Sequence, residues 1–229
     1  MTEQVFAVVP AAGIGSRMQA DRPKQYLCLD DATILEHTVK RLLQFTPFQK
    51  IVLPLAEHDE YFSQLNLHHE RLLTCDGGAE RYHSVLNGID CLLQHGAQVT
   101  DWVMVHDVAR PCITQQDLRA LWSARDEQGC ILGMPVRDTM KRTDNNSQIV
   151  NTVEREQLWH ALTPQLAQIG VLKQSIETCI KNGHVITDEA SALEYVGLHP
   201  KMVSGHPSNI KVTRPDDLIM AQLFVQEFK

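Results

Sequence analysis

Residues 5–26, VFAVVPAAGIGSRMQADRPKQY, hold the residue types that a polyphosphate site needs. An apolar run at 5–9 leads into Pro10, Ala11, Ala12, Gly13 and Gly15, so the backbone leaving it carries almost no side-chain bulk. Main-chain N–H groups in such a loop can approach an anion closely. Two cations follow, Arg17 and Lys24, with no acidic residue between Val5 and Ala20. A strand, a bare loop and two positive charges could hold a triphosphate. The same glycines also suit a plain, tight strand–helix connection. A dinucleotide site fits less well. The third glycine of G-x-G-x-x-G is missing, and the acidic partner expected about 20 positions on would be Glu36, in the first turn of a helix. The P-loop pattern G-x-x-x-x-G-K-[ST] is absent.

A second candidate is Asp107, in VHDVARP, directly after the apolar run 102–105. In an open α/β sheet the carboxyl ends of strands are where ligands bind. A carboxylate there can hold Mg²⁺ between nucleotide phosphates, although a turn or helix-capping aspartate is the plainer alternative. His106 reads as a structural histidine, since no second histidine has ligand spacing. His68-His69-Glu70 does not continue into H-E-x-x-H, and no G-x-S-x-G nucleophile motif is present. Two polar clusters come late in the chain, Thr187-Asp188-Glu189 and the run NIKVTRP at 209–215. Within the second, Lys211 could reach a phosphate or simply face solvent.

The elements that must position these residues are legible as periodic segments. Apolar runs at 5–9, 50–56, 71–75, 102–105 and 130–136 read as buried strands. Thr33-Ile34-Leu35-Glu36 has the spacing of a capping box, followed by Leu35, Val39, Leu42 and Leu43 on one helical face. Helices are expected at 79–94 (buried stripe Val85, Ile89, Leu92, Leu93), 115–126, 171–181, 189–195 and from Pro215. A short helix is expected at 59–65 and a short strand at 210–212. The alternation predicts an α/β fold with a doubly wound, mostly parallel, Rossmann-like sheet. Residues 137–155 break the pattern. They are polar, carry the turn signal Asp144-Asn145-Asn146 and read as a β-hairpin leaving the sheet, to pack on another subunit or serve as a flap.

With 229 residues, 43% of them apolar, the chain can bury roughly 70–75% of its unfolded surface and needs neither disulfide nor structural metal to fold. A net charge of −7 argues against general binding to nucleic acid or membrane surfaces. An anionic ligand must therefore be held by a local basic cluster. Six scattered cysteines without a C-x-x-C pair, no basic leader and no apolar run near the ~20 residues of a membrane span lead to the expectation of a cytoplasmic protein.

Taken together, PAAGIGSRM…PKQY, GGAERYHSV, VHDVARP, PVRDTMKR, TVEREQLWHALTPQ, ITDEASALEY and NIKVTRPDDL closely resemble the 2-C-methyl-D-erythritol 4-phosphate cytidylyltransferase family. The resemblance runs from the first strand to the last helix. It implies a single domain over residues 1–229, of the nucleotidyltransferase (nucleotide-diphospho-sugar transferase) type. A protruding β-arm at 137–155 would be shared in a homodimer. The implied reaction joins CTP and 2-C-methyl-D-erythritol 4-phosphate, giving 4-diphosphocytidyl-2-C-methyl-D-erythritol and pyrophosphate, with Mg²⁺ or another divalent cation.

Carried over onto this sequence, the resemblance implies that Pro10, Ala11, Ala12, Gly13 and Gly15, with Arg17 and Lys24, hold the CTP phosphates. Gly78 and Ser84 would read the cytosine and Asp107 would bind the metal. Arg110, Thr163, Thr187 and Lys211 would face the sugar phosphate, joined by Thr139 and Arg155 from the partner's arm. Ala79 departs from the acidic residue that some relatives carry there, which leaves base or ribose recognition at that position open. The chemistry suits such residues. A phosphate oxygen is already ionised and needs no general base, so the demand is electrostatic: Mg²⁺, Arg17 and Lys24 offset developing charge, and Arg155 and Lys211 align the acceptor. A cytidylyltransferase for another polyol phosphate, such as ribitol 5-phosphate, a non-catalytic nucleotide-binding regulator and a nicotinamide oxidoreductase are the alternatives.

Overall fold

The computed structural model describes residues 3–13, 18 and 21–227. The first strand is β1 (Val5–Val8); a 3-10 turn (Lys24–Tyr26) then precedes a small ribbon, β2 (Cys28–Leu29) and β3 (Ala32–Thr33). Helix α1 (Ile34–Leu43) follows and is capped as the sequence requires. Thr33 Oγ1 accepts from the Glu36 amide at 3.2 Å, and the Glu36 carboxylate accepts from the Thr33 amide at 2.9 Å. Then come β4 (Phe48–Leu55), β5 (Leu72–Asp76), α2 (Arg81–Gln94), β6 (Trp102–Val105), α3 (Gln115–Ser123) and β7 (Cys130–Pro135). The hairpin β8 (Met140–Thr143) and β9 (Ile149–Val153) precedes β10 (Trp159–Gln168), α4 (Ile169–Lys181), α5 (Glu189–Tyr195), β11 (Lys201–Ser204) and α6 (Pro215–Glu227).

The main sheet has seven strands in the order β11-β7-β10-β6-β1-β4-β5. All neighbours are parallel except β10, which runs antiparallel to both β6 and β7. Strands β4 and β5 extend the sheet to one side of β1, and β6 then returns to the other side. The loops after β1 and β6 therefore flank the point where the winding reverses, which is where open α/β sheets bind ligands. Side-chain alternation in β1 explains its apolar run. Val5 and Ala7 join the core under α1 and α3, whereas Phe6 and Val8 join the core under α2, α4 and α5. Both faces are covered, so no position in the strand could be polar.

Two expectations change, and strands β10 and β11 were not expected. Residues 210–212 form no strand. They cross the carboxyl edge of the sheet as an extended loop, with a backbone bond from the Val212 amide to the Ala109 carbonyl (2.8 Å) rather than a ladder. Strand β11 went unrecognised because it is an edge strand with exposed ends at Lys201 and Ser204, so it lacks an apolar run. The helix expected at 59–65 is only a 3-10 turn, Phe62–Gln64. The hairpin at 137–155 is present and pairs with itself alone (β8 with β9), inserted in the connection between the antiparallel partners β7 and β10. It carries exposed apolar side chains, Ile149 at 65% and Val150 at 64% exposure, which a lone solvated hairpin would not favour.

Candidate active site

Two adjoining clefts open at the carboxyl edge of the sheet. The first, about 650 Å³ with its open mouth, is walled by Pro10, Ala12 and Gly13 after β1, by Lys24 and Gln25, and by Gly78–Arg81 with Ser84 at the start of α2. The second, about 510 Å³, is walled by Arg110, Thr163, Gln165, Thr187 and Asp188. Arg81, Asp107 and Lys211 line both and form the boundary between them.

Local structure explains how the first cleft is held open. Ala11 is spent on the fold: its amide donates to the Pro54 carbonyl (2.9 Å), and its own carbonyl accepts from Gln25 Nε2 (2.6 Å). Pro10 has no amide proton, so neither residue can donate to a phosphate; Ala12 and Gly13 face the cleft. The PKQY segment is anchored by every side chain after its proline. Lys24 Nζ donates to the Val212 carbonyl (3.1 Å), Gln25 holds Ala11, and the Tyr26 hydroxyl donates to Asp59 (2.6 Å). The Lys24 bond brings this turn against the segment that carries Lys211. Opposite, the Gly78 amide donates to Ser84 Oγ (3.0 Å). A Cβ on Gly78 would lie 2.3 Å from that of His83, and one on Gly77 would lie 2.4 Å from that of Ala12, so this wall requires glycine.

At the boundary, the Asp107 carboxylate is 8% exposed and meets three cations. Arg81 Nε donates to Oδ1 at 3.0 Å, while Lys211 Nζ and Arg110 Nε lie 2.8 Å and 3.4 Å from Oδ2. Burial alone would push this carboxyl up, but the charges of Arg81, Lys211 and Arg110 outweigh it and hold the group well below the usual carboxylate range. Arg81 also forms a two-point pair with Glu189, Nη1 to Oε1 at 2.6 Å and Nη2 to Oε2 at 3.1 Å. Burial disfavours the Arg81 charge; Glu189 and Asp107 more than compensate and keep it protonated.

Beneath the carboxylate runs a closed hydrogen-bond chain. The Asp107 amide donates to Thr163 Oγ1 (3.0 Å), that hydroxyl donates to His106 Nδ1 (3.1 Å), and His106 Nε2 donates to the Arg110 carbonyl (3.1 Å). These roles require a neutral imidazole. Burial indeed pushes His106 down, to about 4. The unfolded chain takes up a proton near pH 6.5 and the native state does not, so stability present above that pH should be lost as pH falls toward 4. The slope is about 1.4 kcal/mol per pH unit, about 3 kcal/mol in all. Urea melts of the metal-free protein between pH 7 and 4.5 should show this slope, and His106→Gln should flatten it. An equal slope in the variant would mean that other groups carry the effect.

The fold thus brings together Pro10, Ala12, Gly13, Lys24, Gly78, Ser84, Asp107, Arg110, Thr163, Thr187 and Lys211 along one sheet edge. Thr163 lines the second cleft, but its hydroxyl proton is committed to His106, leaving it no donor for a phosphate. Thr139 and Arg155 line neither cleft; both are exposed at the hairpin's base, where the Arg155 guanidinium donates to the Arg137 carbonyl. Gly15 and Arg17 lie outside the described residues. Sequence reasoning gave no role to Arg81 or Gln25, and noted Glu189 and Asn209 only as members of polar clusters. Only Arg81 carried a signal: a cation at the first residue of a helix opposes the dipole and calls for an anionic partner. Glu189, at the start of α5, matches the dipole, so nothing in its position asks for a distant partner.

A doubly wound, mostly parallel sheet with a polar two-part cleft at its switch point defines an α/β nucleotidyltransferase-like protein. The solved structure of 2-C-methyl-D-erythritol 4-phosphate cytidylyltransferase from Francisella tularensis is similar throughout, with a TM-score of 0.83 at 34% identity, covering 97% of this chain and 100% of that one. The chain belongs to the 2-C-methyl-D-erythritol 4-phosphate cytidylyltransferase (IspD) family, whose model matches residues 5–227. Relatives bearing that name include proteins of Tolumonas auensis, 53% identical over 224 residues and 96% of each chain, and Haemophilus influenzae (strain 86-028NP), 46% identical over 229 residues and the whole of both.

Proposed function

We propose that this chain transfers the cytidylyl group of CTP to 2-C-methyl-D-erythritol 4-phosphate, releasing pyrophosphate. The observation that carries this reading is the pair of clefts divided by Asp107, Arg81 and Lys211. The first, with its glycine wall and Lys24, suits a nucleoside triphosphate. The second, with Arg110 and Lys211, suits a sugar phosphate. An acceptor phosphate oxygen coming from the second cleft attacks the α-phosphorus, and the bond from that phosphorus to the β-phosphate oxygen breaks. Lys24, together with Arg17, offsets charge on the departing pyrophosphate. Lys211 and Arg110 hold the incoming phosphate in line. Among titratable groups, His106 is enclosed and neutral, which agrees with a reaction that needs no general base.

The residues fit a Mg²⁺ that arrives with the nucleotide. Mg²⁺ needs one or two carboxylates and takes the rest of its shell from water and phosphate oxygens. Among the described residues no group of three His, Cys, Asp or Glu is placed to hold a metal alone. Asp107 is the carboxylate that would hold it, with a lone-pair position left beyond its three cations. When bound, the ion would neutralise charge on the transferring phosphates.

The exposed apolar hairpin supports a homodimer in which Thr139 and Arg155 reach the partner's second cleft. Arg155→Ala should then raise KM for the sugar phosphate and leave KM for CTP nearly alone. Mixing Lys24→Ala subunits with Arg155→Ala subunits should restore one working site per heterodimer; no recovery would count against a shared site. Six free cysteines support a reducing, cytoplasmic setting, and among the described residues no helix is long and apolar enough to cross a membrane. Acceptor-dependent pyrophosphate release from CTP tests the main proposal, with ribitol 5-phosphate as the competing acceptor. Release with ribitol 5-phosphate alone would reassign the acceptor, and release with neither would defeat the reading.

A further inference from the structure

We infer that Arg81 is a positioning residue for the transfer: held by Glu189, its guanidinium fixes the orientation of the Asp107 carboxylate at the boundary between the clefts. Arg81 is the first residue of α2 and Glu189 the first of α5, and the pair joins residues 108 apart in sequence. Glu189 is 2% exposed, so its charge requires a partner of fixed geometry. The two-point contact commits both terminal nitrogens of Arg81 to Glu189, which turns Nε onto Asp107 Oδ1. Lys211 and Arg110 both approach the other oxygen, Oδ2. Arg81 is therefore the cation, among the described residues, that holds Oδ1 and opposes rotation of the carboxylate toward Oδ2.

The consequence reaches both clefts. The orientation of Asp107 sets where Lys211 and Arg110 stand, and these two cations face the acceptor side. Three of the five N–H donors of Arg81 are spent on the two carboxylates, so these, rather than a phosphate, set the orientation of its guanidinium. A lysine could keep the charge but not the fork, since an ammonium is a single point and cannot bind Glu189 at two places while reaching Asp107.

The inference rests on the cytidylyl-transfer reading for its kinetic readout. Arg81→Lys, Glu189→Gln and the double variant are to be compared by pyrophosphate release, with folding followed by thermal melts. Arg81→Lys should lower kcat roughly 10- to 100-fold, the scale of a displaced reacting group, with both KM values within threefold of wild type. Glu189→Gln should show the same signature more weakly, since it acts through Arg81. The double variant should be no slower than Arg81→Lys alone, because residues acting in series are not additive. Near-normal kcat in folded variants, with only Tm lowered, would overturn the inference, as would a double variant whose loss is the product of the single losses. If Arg81→Lys does not fold, Glu189→Asp decides: a carboxylate restored at shorter reach should recover part of the kcat lost in Glu189→Gln, and no recovery would overturn the proposal. An inactive wild type would defeat the transfer reading itself, whereas an active wild type with unaffected variants would defeat the Arg81 role alone.

Discussion

Replacing Asp107 by asparagine is expected to lower kcat by roughly 10²–10³ and to cost the fold about 3–5 kcal/mol. Asparagine keeps the volume and removes the charge that three cations share. Their fates then differ. Arg81 retains Glu189, and Lys211, with 38% of its side chain exposed, can turn to water. Arg110 cannot: it is 7% exposed, and its remaining contact is Nη1 to the Asn209 carbonyl at 2.8 Å. The stability loss should therefore sit near the lower end of that range and be carried mostly by Arg110. Arg110→Met in the same background should recover part of it, because a buried cation without its anion costs more than an apolar side chain. Urea melts measure this term and pyrophosphate release measures the other. A variant with normal kcat would remove Asp107 from the reacting centre, and an unchanged melt would mean that the ion cluster contributes little to the fold.

Lys24→Ala should also lower kcat by roughly 10²–10³, but with little effect on stability. Its side chain donates to the Val212 carbonyl from a half-buried position. The loss of such a bond costs on the order of 1 kcal/mol. What the substitution removes is a cation that lines the first cleft together with Ala12 and Gly13. Charge developing on the β- and γ-phosphates as they leave would then meet water in place of a fixed ammonium. The expected signature thus shares the loss of activity seen at Asp107 without the loss of stability: a near-native melt with activity nearly gone. A kcat within threefold of wild type would refute the role given to Lys24.

The separation between the two results reflects how each residue is held. Asp107 is built into the boundary by its amide, by Thr163 and His106 below it, and by three side chains around it. Lys24 stands on a turn whose geometry is kept by its neighbour Gln25, 2% exposed and bonded to Ala11. Removing Lys24 therefore leaves the turn in place, whereas removing the Asp107 charge disturbs everything that faces it.

The sequence by itself determined the strands whose both faces are covered, because double burial leaves a continuous apolar run; Trp102–Val105 was read to the residue. It determined the Thr33–Glu36 cap, the hairpin, and the places of Pro10–Gly13 and Asp107 just beyond buried strands, since these are set by neighbours a few positions away. The order of its motifs was enough to indicate the family. Only the tertiary structure decided that β10 runs antiparallel, that residues 210–212 cross the sheet edge without joining it, and that the Thr163 hydroxyl is consumed by His106. It alone joined Arg81 to Glu189. Periodicity records whether a side chain is buried, not which distant group it meets. Pairing between residues 108 apart depends on where two helices begin in space, and that is fixed by the sheet that carries them.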